Sequence, residues 1–231
     1  MKYITSQEFK ETIITKKACI LPTGSYEQHG GHCVLETDSI LAEKIAEIVG
    51  KMTNIPVLPV ISYGISYIHK SFPGTIYITD TTYISYISDI ILSLKNNEVR
   101  RLFIINGHGA NYNSLLKAVN NYSDEGFKIE IFNWFEFIGE DIFPKKHRSH
   151  AGSMETSALA FLNKDFIRSD SVENMVLNEK YNYTKIVDIK ECTLNGVIGA
   201  ADEWSVEKGE TIIGVAAGEI AERIRYERDC T

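Results

Sequence analysis

The stretch ACILPTGSYEQHGGHCVLETDSILAEKIAEIVG, residues 18–50, decides the fold. Its opening ACILPTG is an apolar run short enough for a buried strand, and it leaves into a glycine turn. After a polar loop, Ile40, Leu41, Ile45, Ile48 and Val49 follow helical spacing, with Asp38 as an acceptable N-cap and Gly50 as a C-terminal stop. Strand, loop and helix in that order form the repeating unit of layered α/β domains.

The same alternation continues outward in both directions. Upstream, Thr5 and Glu8 make a capping box for a short first helix. Downstream, IPVLPVISYG is extended, and its two prolines demote it to an edge or irregular strand. Thr79 and Asp80 then introduce Ile84, Ile87, Ile91 and Leu94, the stripe of a helix that covers a sheet. VRRLFIINGHGAN reads as strand and glycine turn, Leu115, Leu116 and Val119 mark a helix, and KIEIFNWF is a further strand. METSALAFL starts another helix, and Ile212, Ile213, Ala216, Ile220 and Ile224 mark a C-terminal one. Ser169 to Gly199 shows no clear period. No linker or repeat interrupts the series, so the expectation is one domain over residues 1–231 with a largely parallel sheet.

Composition narrows the function. The 24 basic and 31 acidic side chains leave a net charge of −7 with no long Lys/Arg block, which argues against nucleic acid or an anionic membrane as partner. The N-terminal MKYITSQEFKETIITKKACI does not read as a signal peptide, and the longest apolar runs fall far short of the roughly 18 residues of a membrane span. Cys19, Cys33, Cys192 and Cys230 are scattered without a C-x-x-C pair, which fits a reducing cytoplasm. Cys33, although it lies in a motif-dense segment, reads as a packing thiol because nothing beside it would activate a thiolate.

The histidines point to chemistry. His29 and His32 lie in GSYEQHGGHCVLETD, His108 in NGHGAN, and His147 and His150 in KHRSHAGSMET, all near carboxylates or glycine turns after expected strands. Only His69, before SFPGT, stands outside such a window. Turns at strand carboxyl ends are where open α/β sheets gather ligands, so the clustering suggests a metal site built from several loops. Glu27 and His29 fall on one side of an extended segment, and Asp38 can lean back across the loop. Two carboxylates and an imidazole suit Zn2+, Mn2+ or Fe2+. On spacing alone, Asp38 could equally cap its helix while Glu27 and His29 remain solvated. His108 could be a hydrogen-bonded turn residue, and Glu155 could serve only the dipole of its helix. His150 has no obvious structural duty and titrates near neutrality, which suits proton transfer.

The segments LPTGSYEQHGGHCVLETDSILAEKIA, HKSFPGTI, INGHGAN and HAGSMETSALAF, in this order and spacing, resemble the creatininase (creatinine amidohydrolase) family, and NGVIGAADEWSVEKGE looks like its distal portion. The resemblance implies a three-layer αβα sandwich carrying one or two divalent ions that hydrolyses amide-type C–N bonds. On matching positions it makes Glu27, His29, Asp38 and His108 metal ligands, with Asp38 as bridge. His150 becomes the acid/base residue and Glu155 a base or a further ligand. It also implies a homo-oligomer, hexameric or dimer-based.

Two departures bear on substrate. Creatininase proper carries a glutamate two residues after the histidine of N-G-H and another directly before the catalytic histidine, where this chain has Ala110 and Ser149. The resemblance therefore shifts from creatinine towards relatives that act on a formamide or trim a ribosomally made peptide. A metallopeptidase with Tyr63, Tyr67, Phe72 and Tyr77 lining a wider pocket is one alternative reading, and a non-catalytic metal-binding protein is another.

Overall fold

The computed structural model describes residues 4–122, 124, 126–178 and 187–229; Cys230 and the middle of the aperiodic Ser169 to Gly199 region lie outside them. Three parallel strands form the sheet, β1 (Ala18–Thr23), β2 (Arg101–Asn106) and β3 (Lys128–Asn133), in the order β1-β2-β3. The register aligns Thr23 with Asn106 and Asn106 with Asn133, so all three strands end at one level. The proline-bearing segment after residue 54 runs along the free edge of β1 through isolated parallel bridges at Val57 and Ile61, as its prolines require.

Alternation along the strands divides the core. Ile20, Phe103 and Ile105 face one cluster with α2 (Thr37–Thr53), α5 (Ser153–Leu162) and α6 (Val206–Asp229). Cys19, Leu21, Leu102 and Ile104 face the other, with α3 (Asp80–Asn96), α4 (Tyr112–Asn120) and Ile13 of α1 (Ser6–Lys16). A sheet whose strands are buried on both faces needs helices on both, and the result is the three-layer αβα arrangement. Each of these fully buried aliphatic side chains contributes about 1.5–3 kcal/mol over its exposed state.

Helix boundaries follow local chemistry. The expected capping box at Thr5 is complete, with the Thr5 side chain accepting from the Glu8 N–H and the Glu8 carboxylate accepting from the Thr5 N–H. Thr79 caps α3 through the Thr82 N–H. Two expectations fail on α2. Asp38 is not its cap: the helix begins at Thr37, Glu36 holds the cap position, and Asp38 sits in the first turn with its carboxylate turned inward. Gly50 does not stop the helix either, which runs to Thr53 and ends on the left-handed Asn54.

The turn after β2 approaches α2 closely. A Cβ on Gly107 would lie 2.2 Å from the Asp38 carbonyl oxygen, so only a hydrogen fits between the two backbones. Gly107→Ala is expected to shift the urea midpoint down by the equivalent of about 1–3 kcal/mol. Gly214→Ala in α6, where a Cβ would meet nothing within 4 Å, should raise it by about 0.5–1 kcal/mol.

Candidate metal centre

The strand ends are stitched by polar side chains. Thr23 Oγ1 donates to Asn106 Oδ1 at 3.1 Å, and Asn106 Nδ2 donates to Asn133 Oδ1 at 2.8 Å and to the His108 carbonyl at 2.7 Å. Asn111 continues the brace, donating to the Gly24 carbonyl at 2.9 Å and accepting the Ile65 N–H at 3.0 Å. The loop after β1 is closed by the Glu27 N–H on the Leu35 carbonyl. Glu27, His29, Asp38, His108, His150 and Glu155 come together at the carboxyl end of the sheet, five of them buried and the His150 side chain 14% exposed.

Three imidazoles share one hydrogen-bonding pattern. His29 donates Nδ1–H to the Glu27 carbonyl at 3.1 Å, His108 donates Nε2–H to the Ile65 carbonyl at 3.0 Å, and His150 donates Nε2–H to the Gln28 carbonyl at 2.8 Å. A neutral ring that spends its one proton on a carbonyl leaves a lone pair on its other nitrogen. Those nitrogens face carboxylates: His29 Nε2 lies 3.1 Å from Asp38 Oδ1, His108 Nδ1 lies 2.8 Å from Asp38 Oδ2, and His150 Nδ1 lies 3.6 Å from Glu27 Oε1. Lone pairs aimed at carboxylates require a positive charge between them, either a proton or a cation. Anchoring of one ring nitrogen on a carbonyl is the usual support of a metal-bound histidine.

The carboxylates make the same demand. Both Glu27 oxygens are buried without a hydrogen-bond partner, their nearest charged neighbours being imidazole nitrogens at 3.3–3.6 Å. Burial raises the Glu27 pKa. Asp38 pays the same burial penalty, but the His29 and His108 rings hold its pKa well below the usual range, and Ser25 Oγ donates to Oδ2 at 2.7 Å. Burial opposes charge on His29 and His108 too, yet the Asp38 and Glu27 carboxylates carry them up to about 10 and about 9. Glu155 accepts the Ala151 N–H at 2.7 Å, and burial lifts its pKa to about 7. His150, buried beside the other rings, is held well below its ordinary value.

Geometry corrects the histidine grouping. His32 and His147, expected in the cluster from their windows, stay out of it: His32 Nε2 pairs with Thr156 Oγ1 at 3.1 Å, and His147 pairs with Ser153 Oγ at 3.0 Å and lies 3.4 Å from Glu203. His69, the one set aside, is inside it, 3.5 Å from Glu27 Oε1 and with its ring centroid 4.4 Å from that of His150. Gln28 was missed as well; its side chain touches both rings. Three ligand groups have donor atoms mutually within 4.8 Å: Glu27, His29 and Asp38; His29, His150 and Glu155; Glu27, His69 and His150.

A cavity of about 240 Å³ opens onto the cluster, walled by Ala110, Phe135, Ser149, Met154, Ile189 and Ile198. Ala110 and Ser149 thus stand at the cavity wall as small residues. Tyr63, Tyr67 and Tyr77 do not line it and are 47%, 49% and 38% exposed, while Phe72 borders a separate cavity of about 480 Å³ beyond Gln28. Cys33, its thiol pushed up to about 12 chiefly by burial and set 3.6 Å from Thr156 Oγ1, is the packing thiol expected.

The sequence model of the family described as creatinine amidohydrolase matches residues 2–224. The chain is 28% identical to the creatinine amidohydrolase of Pseudomonas putida over 90% of this chain and 88% of that one. It is 27% identical to the mycofactocin precursor peptide peptidase of Mycolicibacterium smegmatis, over 89% and 83%. The solved structure named "Creatininase Mn" superposes with a TM-score of 0.86 at 25% identity, covering 97% of this chain and 96% of that one. Sequence and backbone agree along almost the full length, and the chain belongs to the creatininase family.

Proposed function

We propose that the chain is a metal-dependent amidohydrolase, acting as a single domain over residues 1–231, that cleaves a C–N amide bond in a cyclic amide or formamide other than creatinine. The observation that carries this reading is the set of three carbonyl-anchored imidazoles whose free nitrogens converge on two buried carboxylates. Glu27, His29, Asp38 and His108 would hold one or two divalent ions, and Asp38, whose two oxygens face different rings, would be the shared ligand of a two-ion form. Oxygen and imidazole donors suit Zn2+, Mn2+ or Fe2+.

A divalent cation held there supplies Lewis acidity, polarising an amide carbonyl and acidifying a water molecule. The protein's own groups move the protons. Glu155, with its carboxyl pKa near 7, accepts a proton from the attacking water at neutral pH. His150 Nδ1, bare at rest because Nε2–H is spent on the Gln28 carbonyl, collects that proton and delivers it to the departing nitrogen. The Glu155 and His150 donor atoms lie within 4.8 Å of each other, a gap that one water molecule would relay. Phe135, Met154, Ile189 and Ile198 wall the cavity and exclude bulk water.

Ala110 and Ser149 carry the argument against creatinine, since both leave the cavity wall without the carboxylates of creatininase proper. A short-peptide substrate is the second reading, supported by the peptidase relative and by the 480 Å³ cavity beyond Gln28. We further propose a cytoplasmic homo-oligomer.

Metal analysis and turnover separate the roles. Asp38→Ala should lose stoichiometric metal, whereas His150→Ala should keep it and lose about 10²–10⁴-fold in turnover on whichever of formamides, cyclic amides and short peptides the wild type cleaves when loaded with Zn2+, Mn2+ or Fe2+. Near-native turnover of His150→Ala would remove it from the reaction, and metal-free wild type would remove the metal.

Metal-free protein should also show a distinctive pH profile. The raised pKa values of His29 and His108 contribute stability that is fully present below about pH 6.5, their unfolded value, and is lost as pH rises through about 9 and about 10. Zn2+ takes the place of those protons, so the thermal midpoint of loaded protein should stay flat over this range while that of metal-free protein falls. Calorimetric titration with Zn2+ at pH 7 in buffers of differing ionisation enthalpy should register proton release.

A further inference from the structure

His69 shares a ligand group with Glu27 and His150, but its ring is held the opposite way. The other three site imidazoles donate to backbone carbonyls; His69 Nδ1 faces the side-chain amide nitrogen of Gln28 at 2.8 Å. The orientation of that amide is fixed at both ends. Gln28 Oε1 accepts the Gly30 N–H at 3.0 Å, and Gln28 Nε2 donates to the Gly196 carbonyl at 3.0 Å, so a flipped amide would oppose like groups at both contacts. Gly196 has φ +82°, and a Cβ there would lie 2.0 Å from Gln28 Oε1, which reserves the position for glycine.

Proton counting then leaves one arrangement. Gln28 Nε2 has two protons and three neighbours: the Gly196 carbonyl, His69 Nδ1 and His150 Nε2. The last already carries a proton donated to the Gln28 carbonyl at 2.8 Å. The second amide proton therefore goes to His69 Nδ1, and the neutral ring keeps its own proton on Nε2. That nitrogen lies 3.5 Å from Glu27 Oε1, one of the two carboxylate oxygens without a hydrogen-bond partner.

We propose that Gln28 locks His69 as an N–H donor towards Glu27, making His69 a positioning residue for that carboxylate and withholding it from metal coordination, even though it lies within ligand distance of Glu27 and His150. This rests on the reading of Glu27 as a metal ligand. The device leaves His150 as the one ring of this group with a free lone pair, so the proton-transfer residue is not taken up by an ion bound between the two histidines.

Imidazole ¹⁵N spectroscopy of histidine-labelled protein, metal-free and Zn2+-loaded, reads the arrangement directly, with His69→Gln assigning the resonance. His69 should show a protonated Nε2 and an unprotonated, hydrogen-bonded Nδ1 in both states, while His29 and His108 move on zinc addition. In Gln28→Glu the carboxylate cannot donate, so the His69 proton should shift to Nδ1 and its Nε2 should become zinc-sensitive. A wild-type His69 that is protonated on Nδ1 or ligated through Nε2 would overturn the proposal, as would an unchanged tautomer in Gln28→Glu. Should that variant fail to fold, zinc affinity decides: His69→Met, with no donor, should lose about 10–100-fold, and His69→Gln, whose amide N–H reaches towards Glu27, should recover most of it. Equal affinities for the two would also overturn it. If no histidine responds to zinc, the metal reading fails, while the His69 tautomer remains readable on its own terms.

Discussion

Two carboxylates buried side by side at the carboxyl end of a parallel sheet are the constraint on which the site depends. Glu27 is fully enclosed and Asp38 is 3% exposed. An uncompensated buried charge costs several kcal/mol even after local relaxation, and here there are two. The compensation cannot come from lysine or arginine, because the described ion pairs of both carboxylates are with histidines alone. Imidazoles offer either a proton or a lone pair, so the cluster is poised to exchange protons for a divalent ion without rearranging its donors.

That exchange is possible because the scaffold, rather than the ligands, holds the rings. Carbonyls of Glu27, Gln28 and Ile65 each fix one ring nitrogen, and the Asn106 and Asn111 network fixes the loops from which His108 and Ile65 come. The close approach of Gly107 to Asp38 locks the first turn of α2 against the end of β2. The three-layer fold thus delivers donors from separate loops to one point while its two apolar clusters stay continuous on either side of the sheet.

The layers were legible in the sequence because burial on both strand faces leaves apolar runs such as LFII, and covering helices leave stripes such as Ile84, Ile87 and Ile91. The candidate site residues have a different signature: Glu27 and His108 follow closely on β1 and β2, whereas Asp38 and Glu155 sit in the first turns of α2 and α5. His69 was not legible, because it is placed by contacts that skip the periodic elements. Its hydrogen-bond partner Gln28 is 41 residues away, and the segment around it is tied to the β1 loop by the Tyr26–Ile76 bridge. The error at Asp38 has a simple cause, since an inward-turned carboxylate in the first turn and an N-cap are both acidic residues at a helix start. His32 and His147 share windows with residues of the cluster yet lie outside it, because neighbours in a loop need not share a direction.

Charge balance ties the number of ions to the identity of the base. On the proposed reading Glu27 and Asp38 together would neutralise one divalent cation, leaving Glu155, whose carboxyl pKa burial raises, outside the ligand set. A second ion would add two positive charges beside His29, and the nearest available counter-charge is Glu155, whose Oε2 lies 3.8 Å from His29 Nε2. The field of that ion would strip the Glu155 proton and draw the carboxylate into coordination, ending its service as a base. Ala110 sharpens the choice, since no carboxylate at that position can take Glu155's place as ligand. On the proposed reading, a second ion and a Glu155 base would compete for the same carboxylate, and the one-ion form would keep both proton-transfer groups in use.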